Sequence, residues 1–589
     1  MWTRPLARLL TIALLPAIAL GVAPSNARAA TGGGFVAVTP TRILDTRTTS
    51  RLIAARPLRL ALTVPAGAIG VSVNLTITQP SAAGWAAIHP CDQTPGATST
   101  LNFVTGLTVA NASPYTSTAS GVCVTAAVAT HAIVDVSGWW STTNGSALSA
   151  LNPRRLFDTR LGGQSPTRRQ SVRLPVDRAD AAGLTLVVSE ASAPGWAAVH
   201  PCNQPPGTTS TLNFETATTV ANLALVAATN GVCVTTSVAA HVIVDQVAAT
   251  TPDGPAMIGR TPRRIVDSRD QLAWIGDTGV VRLAAGPARS VLLNVTAVTP
   301  LGGGFVTVWP CDDAPPGVSQ LSWSEPRNVA TAVLARTNAS GDVCLRPSIG
   351  THLIVDVLAT DADDAPVVVS ISGRTTEWVF GRSVEGRPLV ARAFGPLGAL
   401  PVLGVGIIHG NEQSGLPIAQ RLTTQTVPPG VVMWIIDSIN PDGQARPIRQ
   451  NANGVDLNRN FPVGWRAGSP GSNYPGRTAA SEPETQAMIR FLAVVQPRLG
   501  VWWHTVGNYA DDSRSSMAQP ELLERYVARA AVGIDDAPCS GFCGGTASQY
   551  ANASLENGSH FVVELPEPIT ASQVAAHAAA FLVAASITR

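Results

Sequence analysis

The chain has 589 residues, which is too long for a single hydrophobic core and predicts several domains. Its 40 basic residues are all arginine and nearly balance the 38 acidic ones, so a net charge of +2 gives no sign of a nucleic-acid or anionic-membrane partner. Only 13% of the residues are charged, and the many Ala, Val, Thr and Gly residues favour β-rich extracellular modules over a disordered chain.

The first 29 residues have the features of a secretory signal peptide. Arg4 and Arg8 precede an apolar segment, and the small residues around Ala29 form a cleavage site. A membrane anchor is the alternative, but the apolar segment is short and contains Pro16. We therefore predict a signal peptide over residues 1–29, a secreted extracellular protein, and no membrane span in the mature chain. Association with the cell wall is a further expectation.

The eight cysteines agree with export, because an even number of cysteines in a secreted chain indicates disulfide bonds. The first six fall into three pairs with nearly equal separations, and no tight Cys-x-x-Cys pair suggests a structural zinc site. A small loop between the last two cysteines is a further expectation. The predicted pairs are Cys91–Cys123, Cys202–Cys233 and Cys311–Cys344, with Cys539–Cys543 as the small loop.

Three similar copies follow the signal peptide. The motif "RILDTR" at Arg42–Arg47 returns at Arg155–Arg160 and Arg264–Arg269, and each copy ends in a strand with the sequence Ile-Val-Asp. Each copy has the length of a small domain and is too long for a solenoid repeat. Short Val/Thr/Ile/Ala runs between Gly/Pro/Asn turns predict an all-β module, sandwich-like or barrel-like, with about eight strands. The predicted modules cover residues 34–143, 149–250 and 256–361.

The polar motifs of these copies favour a structural role over a ligand site. His131, His241 and His352 each begin an Ile-Val-Asp strand, where a histidine satisfied by neighbouring groups is more common than a ligand-binding row. The Asp-Thr/Ser-Arg triplets indicate an ion-paired turn. The copies resemble tandem β repeats of secreted actinobacterial proteins. That resemblance names no activity, and binding of cell-wall material or glycan through the copies is a hypothesis.

After an acidic linker the pattern changes. Apolar strand-like runs alternate with helical stretches, which is typical of an α/β domain with a mixed sheet, and we place this domain at residues 366–589. Ligands bind beyond the carboxyl ends of parallel strands in such sheets. Polar groups with metal-binding or acid–base chemistry stand at these ends, so they are expected to meet at one edge. They are His409 with Glu412, the segment Asn440–Gly443, His504 and Glu564.

Two histidines and one carboxylate are the ligand set of a catalytic zinc site. His409 and Glu412 come from one loop, and His504 follows a different strand. A structural site would use four ligands, usually with Cys, whereas a catalytic site keeps one position open. A polar turn that contains a histidine by chance is the alternative, and the third ligand argues against it. We therefore predict one Zn²⁺ per chain.

The motifs of this domain resemble those of the zinc metallocarboxypeptidase family, which has the carboxypeptidase A-like fold. The segments His409–Glu412 ("HGNE"), Asn440–Gly443 ("NPDG"), Gly454–Pro462 ("GVDLNRNFP") and Val562–Glu567 ("VVELPE") are similar to family motifs. The short form of the domain resembles murein peptide amidases, which cleave a γ-D-glutamyl–diaminopimelate bond in cell-wall peptides.

The resemblance implies a catalytic role for Glu564. His409, Glu412 and His504 would bind Zn²⁺, which polarises the scissile carbonyl and acidifies water. Glu564 would take a proton from that water and pass it to the leaving amine. An exposed carboxylate is the alternative, but Glu564 follows an apolar strand, where solvation is poor.

Three further residues correspond to substrate-contacting positions of the family. Arg449 matches by position the arginine that stabilises the oxyanion, with Arg446 as the competing choice. Asn458 and Arg459 match the pair that binds the terminal carboxylate of the substrate. A guanidinium suits this task because it can bond both carboxylate oxygens. A surface salt bridge is the alternative interpretation of Arg459.

The sequence departs from the family at two places. The mobile tyrosine of the family has no clear counterpart, because Tyr550 lies close to Glu564 along the chain, and Thr505 stands where serine is more usual.

We expect a secreted zinc metallocarboxypeptidase, a hydrolase that cleaves a peptide or amide bond beside a free carboxylate, with cell-wall peptides as a candidate substrate. Two alternatives stay open. One is a wall-binding or glycan-binding surface protein with an inactive or minor peptidase domain, and the other is a zinc deacylase of N-acyl amino acids.

Overall fold

The computed structural model describes residues 32–95, 98–162, 170–176, 179–251, 254–270, 274–362, 367–372, 374–396, 399–535 and 544–589. The expected signal peptide and the expected Cys539–Cys543 loop lie outside these residues. Among the helices of the described ranges, none is long and apolar enough to cross a membrane. The described residues are almost entirely β between residues 32 and 362 and α/β after residue 376, as the sequence predicted.

The first sequence copy folds into two four-stranded antiparallel sheets. Its strands are β1 (Gly34–Asp45), β2 (Leu58–Arg59), β3 (Ala68–Thr78), β4 (Gly84–Pro90), β5 (Leu101–Phe103), β6 (Val109–Ser117), β7 (Val122–Ala126) and β8 (His131–Ser141). The sheet orders are β1-β8-β3-β6 and β2-β7-β4-β5. Alternate residues of β3, among them Val73, Leu75 and Ile77, point into the core between the sheets, which is the period of a strand with one face buried.

The second copy repeats this arrangement. Its strands are β9 (Ala147–Asp158), β10 (Ser171–Leu174), β11 (Ala181–Ser189), β12 (Gly195–Pro201), β13 (Leu212–Phe214), β14 (Val220–Ala227), β15 (Val232–Thr236) and β16 (His241–Thr251), with a short helix α1 (Thr159–Gly162) after β9. The strand orders β9-β16-β11-β14 and β10-β15-β12-β13 match those of the first copy.

The third copy has the same core and one addition. Its strands are β17 (Ile258–Asp267), β18 (Trp274–Ile275), β19 (Val281–Ala284), β20 (Ser290–Val298), β21 (Gly304–Pro310), β22 (Leu321–Trp323), β23 (Val329–Arg336), β24 (Asp342–Pro347) and β25 (His352–Thr360). The orders are β17-β25-β20-β23 and β19-β24-β21-β22, and the pairing of β22 with β14 joins the second of these sheets to the β9-β16-β11-β14 sheet of the second copy. The chain that follows supplies β26 (Val367–Ile371), which pairs with β19, and β27 (Arg374–Thr375), which pairs with β18.

The three copies pack directly against one another through equivalent strands, because β6, β14 and β23 are all in mutual contact. Buried amides join the copies: Asn111 donates from Nδ2 to Asn294 Oδ1 at 3.0 Å, and Asn222 donates to Asn74 Oδ1 at 2.9 Å. The predicted disulfide bonds within copies are confirmed, and each ties the strand before a Pro-Cys turn to a central strand. They are Cys91–Cys123, Cys202–Cys233 and Cys311–Cys344.

The repeated polar motifs form internal ion pairs. In the first copy Arg42 Nε lies 2.8 Å from Asp135 Oδ1, and Asp45 pairs with Arg47 at 2.6 Å. The ring of His131 bonds to Thr46 through Nδ1, 2.9 Å from its carbonyl oxygen. The other copies repeat the arrangement, so these motifs hold a turn against a strand. The equivalent arginine–aspartate pairs are Arg155–Asp245, Arg160–Asp158, Arg264–Asp356 and Arg269–Asp267.

The C-terminal part contains an eight-stranded mixed sheet. Its strands are β28 (Glu377–Arg382), β29 (Pro388–Phe394), β30 (Leu400–Val405), β31 (Val431–Ile436), β32 (Leu499–Thr505), β33 (Tyr509–Asp511), β34 (Gly533–Asp535) and β35 (Ser559–Leu565). The order is β28-β29-β31-β30-β32-β35-β33-β34, and the four central strands β31, β30, β32 and β35 are parallel. Their near-continuous apolar sequences fit strands that are covered on both faces.

Helices cover both faces of this sheet. The helices are α2 (Leu416–Leu422), α3 (Pro441–Ala445), α4 (Pro483–Val495), α5 (Glu521–Ala530), α6 (Ala547–Ser554) and α7 (Ala571–Ile587). One core contains α4 and α6, and the other contains α2, α5 and α7. Trp502 and Trp503 are neighbours in β32 and point to opposite cores, which shows how the period of the strand divides its side chains.

The third copy and the C-terminal domain share a core. Trp274 of β18 is only 4% exposed, and its ring centroid lies 5.3 Å from that of Trp434 in β31. Leu301 of the third copy belongs to the same apolar cluster. With the strand pairings of β26 and β27, this contact makes the third copy part of the support of the C-terminal sheet.

Candidate metal centre and catalytic cleft

The polar residues predicted at strand ends meet at the carboxyl edge of the parallel strands. His409 follows β30, His504 is the second-last residue of β32, and Glu564 is the second-last residue of β35. His504 and Glu564 are direct partners in the parallel pairing of β32 and β35. Residues opposed in this way present their side chains on the same face of a sheet, so the two groups line one cleft.

Close backbone packing shapes the loop that carries His409 and Glu412. A Cβ atom at Gly410 would lie 2.0 Å from the backbone carbon of Gly443, and one at Gly415 would lie 2.2 Å from the carbonyl oxygen of Gly406. Only glycine allows these approaches. The glycines therefore fold the loop back over the end of the sheet.

The three predicted ligands form a compact buried cluster. One potential ligand atom from each of His409, Glu412 and His504 lies within 4.8 Å of the others. His409 Nδ1 is 2.8 Å from Glu412 Oε1, and His504 Nδ1 is 3.1 Å from Glu412 Oε2. The two histidines are 1% and 4% exposed and the glutamate 6%. The Glu412 carboxylate thus lies between the Nδ1 atoms of His409 and His504, one on each of its two oxygens.

The donor set fits a metal cation. His409 Nδ1 is buried and, despite its distance to Glu412, is not in hydrogen-bonding geometry with any described group, while Nε2 donates to Asp456 Oδ1 at 2.9 Å. A histidine with one nitrogen held by a carboxylate and the other free is the usual arrangement of a metal ligand. Burial alone would raise the pKa of Glu412, but the neighbouring His409 and His504 hold it well below its usual range.

Arg449 links the cluster to its surroundings. It donates from Nη1 to Glu412 Oε1 at 2.7 Å, and from Nε and Nη2 to Asp456 Oδ2 at 3.0 and 2.9 Å. Asn440 donates to the Arg449 carbonyl oxygen at 3.2 Å and also caps α3. Arg446, the competing choice for the oxyanion role, instead forms an exposed ion pair with Glu385. Of the two arginines, Arg449 is the one at the site.

Glu564 lies in surroundings that disfavour its charged form. Burial raises the pKa of its carboxyl to about 7, and the carboxylates of Glu412 and Asp511 add to that effect while His504 opposes it. A group with a pKa near neutrality can accept a proton and return it at physiological pH. The side chain is half-buried, so it is open to the cleft.

Asn458 and Arg459 lie on a turn fixed to the cluster. Asp456 accepts from the Asn458 backbone at 2.9 Å with the same oxygen that holds His409. Asn458 Oδ1 accepts from the backbone of Ala547 at 3.0 Å, which leaves its amide nitrogen available. Arg459 Nε is buried without a hydrogen-bond partner among the described residues. Its Nη1 donates to the Asn458 carbonyl oxygen at 2.8 Å, so the guanidinium is held in place and still has a donor free for an anionic ligand.

Three residues at the cleft were not assigned a role from sequence. Asp456 orients His409, Tyr509 is the antiparallel partner of Glu564, and Asp511 lies two residues further along β33. Asp456 could have been found as the carboxylate of the "GVDLNRN" motif. Strand β33 has only three residues, and no periodic pattern marks it.

Two positions flagged as departures have a structural explanation. The ring of Tyr550 packs against Phe461 at 5.7 Å between centroids. Thr505 donates its backbone N–H to Glu412 Oε2 at 3.3 Å and its hydroxyl to Glu567. Among the described residues, Tyr509 is the tyrosine that faces Glu564 across a strand pair.

Comparison with known proteins agrees with this geometry. Residues 367–531 match the family model for zinc carboxypeptidases, Peptidase_M14. Murein peptide amidase A of Escherichia coli K12 is 32% identical over 164 residues, which are 25% of this chain and 66% of the amidase. The catalytic chain of human carboxypeptidase N is 31% identical over 161 residues, which are 20% of this chain and 35% of that protein. The matched part therefore spans just under two thirds of the first relative and about a third of the second.

The murein-tripeptide amidase MpaA of Escherichia coli O157 aligns with 36% of this chain and 89% of its own at 27% identity, with a TM-score of 0.29. Residues 367–531 of the chain are a zinc carboxypeptidase domain of the Peptidase_M14 family. It is a metallocarboxypeptidase domain with carboxypeptidase and amidase relatives.

Proposed function

We propose that the C-terminal domain hydrolyses a peptide or amide bond beside a free carboxylate, with one Zn²⁺ held by His409, Glu412 and His504. The observation that carries the proposal is the position of Arg459. It lies three residues after Asp456, which bonds His409, so a carboxylate-binding arginine is fixed relative to the metal cluster. A substrate carboxylate at Arg459 would place the neighbouring carbonyl near Glu564.

Each residue of the site would have a separate role in the reaction. Zn²⁺, when bound, supplies Lewis acidity to the scissile carbonyl and acidifies a water molecule. Glu564 takes the proton from that water and delivers it to the leaving nitrogen. Arg449 adds positive charge beside the cluster where the carbonyl oxygen becomes negative. Arg459 and Asn458 hold the terminal carboxylate, which aligns the bond for attack.

A cell-wall peptide is the substrate that we favour. The Escherichia coli K12 relative is named a murein peptide amidase, and the chain has the sequence features of an exported protein. Three disulfide bonds support an oxidising compartment. In this proposal the protein is secreted, and the three β copies hold the enzyme near wall material.

The test is cleavage by the zinc-loaded full chain, followed by mass spectrometry. Substrates are a muropeptide with a γ-D-glutamyl–diaminopimelate bond, a simple N-acyl dipeptide, and the same dipeptide with an amidated terminus. We expect hydrolysis of the free acids, loss of activity with a chelator, and slow cleavage of the amide. Arg459→Ala should lower kcat/KM for the free acid by about 1.5–3 kcal/mol, the worth of a charged hydrogen bond.

Arg477→Ala is the matched control, because Arg477 is an exposed arginine of the same region. It should leave kcat/KM unchanged. Equal cleavage of the amidated and free dipeptides would refute the carboxypeptidase assignment. Intact muropeptides with cleaved dipeptides would refute only the wall substrate.

A further inference from the structure

One pair of residues in the third copy departs from its equivalents in the other two. In the first copy His89 Nε2 lies 2.9 Å from Thr125 Oγ1, and Nδ1 lies 2.9 Å from the Pro90 carbonyl oxygen. The second copy repeats the pair with His200 and Thr235, also at 2.9 Å. Both histidines are buried and bonded at both ring nitrogens, so these pairs are complete within their own copies.

The third copy has Trp309 and Arg346 at these two positions. Trp309 stands directly before the Pro-Cys turn, as the histidines do, and Arg346 stands two residues after the second cysteine, as the threonines do. The Cζ atom of Arg346 lies 5.7 Å from the centroid of the Trp309 ring. This contact positions the guanidinium but supplies no oxygen acceptor. The side chain makes no hydrogen bond or ion pair with any described residue, so its N–H donors are available to a ligand.

Arg346 lines a cleft between the second and third copies. The cleft has a volume of about 490 Å³, which is in the range of small-molecule sites. Thr307 is the strand partner of Arg346, and Phe305 lies two residues before Thr307, so the three residues share one face of the sheet. Phe305 is 45% exposed, and diagonal neighbours on such a face are about 7–8 Å apart. An exposed ring and an unpaired guanidinium thus lie within the span of one sugar residue.

The charges on the opposite wall of the cleft, which belongs to the second copy, are already paired or solvated. Arg155 and Arg160 of this wall are both bonded to aspartates. Glu190 is the one acidic residue among the described residues that line the cleft, and its side chain is 70% exposed. Arg346 is therefore the cation that lacks a counter-charge among the described lining residues, and it favours an anionic ligand.

We propose that this cleft binds a saccharide that carries a carboxylate group. The Arg346 guanidinium would bond the carboxylate oxygens, and the exposed ring of Phe305 would pack against the apolar face of the sugar ring. Ser319 and Ser322 line the same cleft with their hydroxyls 3.0 Å apart, and they would bond sugar hydroxyls. The inference rests on the part of the proposed function that assigns wall binding to the copies, and it does not require hydrolysis by the C-terminal domain.

Two matched sugars test the inference. Methyl β-D-glucuronide and methyl β-D-glucoside differ only in a carboxylate that replaces a hydroxymethyl group. Ligand-observed NMR measures their dissociation constants with the full chain at low salt, where charge interactions are least screened. The wild type should bind the glucuronide about 10- to 100-fold more tightly, the factor expected for one charged hydrogen bond. Arg346→Gln should remove this preference and leave the glucoside constant unchanged.

Arg336→Gln is the matched control, because Arg336 is an exposed arginine on the other sheet of the same copy. It should keep the full preference. Phe305→Ala should weaken both sugars by about 2- to 10-fold, the worth of one aromatic contact. The double variant Trp309→His with Arg346→Thr has the bonded pair of the other copies. It should keep the urea midpoint of the wild type and bind both sugars equally weakly.

A second pair of sugars identifies the source of the carboxylate. N-acetylmuramic acid carries a lactyl carboxylate that N-acetylglucosamine lacks. A preference for N-acetylmuramic acid that depends on Arg346 would support the site and make wall glycan its ligand. A preference confined to the glucuronide would support the site with another acidic glycan as its ligand.

Three results would overturn the inference. They are equal binding of glucuronide and glucoside by the wild type, a full preference in Arg346→Gln, and binding of acetate as tight as that of the glucuronide. Hydrolysis of the free-acid dipeptide, measured on each variant, should not change. Failure of hydrolysis with an intact sugar preference would remove the proposed reaction and keep this site. Full hydrolysis without sugar binding would do the reverse.

Discussion

In the β copies, His131 and His352 direct a ring nitrogen to the backbone of a neighbouring turn. The first arginine of each repeated motif, such as Arg42, is held by two aspartates. In the C-terminal cleft, His409 and Arg459 instead have buried nitrogens without a described partner. The residue types are the same in both regions. The difference is that the nitrogens in the copies have hydrogen-bond partners within the protein, whereas those in the cleft have donors or acceptors left without one among the described residues.

An unpaired nitrogen is not sufficient for a site. His560 is also fully buried, and its Nδ1 lacks a described partner while Nε2 lies 3.2 Å from the Pro497 carbonyl oxygen. His560 does not belong to the one potential metal-ligand cluster found among the described residues, which consists of His409, Glu412 and His504. Burial lowers the pKa of His560 to about 4, so it is a neutral core residue. A single buried nitrogen without a partner therefore does not indicate a functional site. Several such groups close together, as in the cleft, do.

Removing a metal ligand should have the largest effect. We expect His409→Ala to lose its zinc and nearly all hydrolysis, because only two ligands would remain. His131→Ala removes a histidine that bonds to Thr46 and should keep about one zinc per chain. Elemental analysis of both purified variants measures this. Full zinc content in His409→Ala would show that His409 is not a zinc ligand, and the proposed difference between the histidines of the two regions would be wrong.

Removing the general base should be the next largest effect. Glu564→Gln should keep zinc and fold but lower kcat by at least about a hundredfold, because a neutral amide cannot accept the proton. Single-turnover kinetics on zinc-loaded protein tests this, with metal content measured on the same sample. A rate near that of the wild type would assign proton transfer to another group.

Acidification should destabilise the C-terminal domain through His560. The histidine is neutral in the folded state, with a pKa of about 4, and binds a proton near pH 6.5 once unfolded. The unfolded state therefore binds more protons between these values, so the contribution to stability is complete above pH 6.5 and is lost as pH falls toward 4. This amounts to about 2 kcal/mol between pH 7 and pH 5.

Urea denaturation at several pH values, followed by tryptophan fluorescence, measures that loss. His560→Gln should remove the part of the pH dependence that His560 contributes over this window, because glutamine does not titrate. An unchanged slope in the variant would show that other groups cause the acid sensitivity.

The smallest expected effect concerns an ion pair of the copies. Arg155→Met leaves the carboxylate of Asp245, which is 0% exposed, without its partner. We expect a loss of about 1–2 kcal/mol in the free energy of unfolding, less than for a fully buried pair because Arg155 is partly exposed. The turnover of the peptidase domain should not change.

Arg51→Met is the control for this variant, at an exposed arginine whose one hydrogen bond to a described residue goes to the carbonyl oxygen of Gln79. It should unfold at the same denaturant concentration as the wild type. If Arg155→Met reduced turnover without reducing stability, the copies would contribute directly to catalysis, and the comparison would need revision.

Much of this organisation could be predicted from sequence because it is local. Alternating apolar residues indicated the strands of the copies, and the positions of His409, His504 and Glu564 after apolar runs indicated one sheet edge. The disulfide pairs followed from the repeated spacing. These features depend on periodicity and on a general rule for parallel sheets, neither of which requires the three-dimensional contacts.

The remaining features depend on contacts between distant segments. The hydrogen bond of Asp456 to His409 joins two loops, and the approach of Asp511 to the cleft requires a three-residue strand to pair beside Glu564. The packing of the copies through Asn111 and Asn294 is equally non-local. Such pairings leave no periodic signal in the chain.

The contact of Trp274 with Trp434 has an evolutionary consequence. Recombination that moved the peptidase domain to a new partner without the third copy would uncover an indole at the back of its sheet and would leave β19 without its neighbour β26. Exposed aromatic surface and an open strand edge both favour aggregation. The third copy in turn packs against the first two through β6, β14 and β23, so the natural unit of inheritance is the peptidase domain together with all three copies, and gene shuffling would be tolerated only at junctions that precede the first copy.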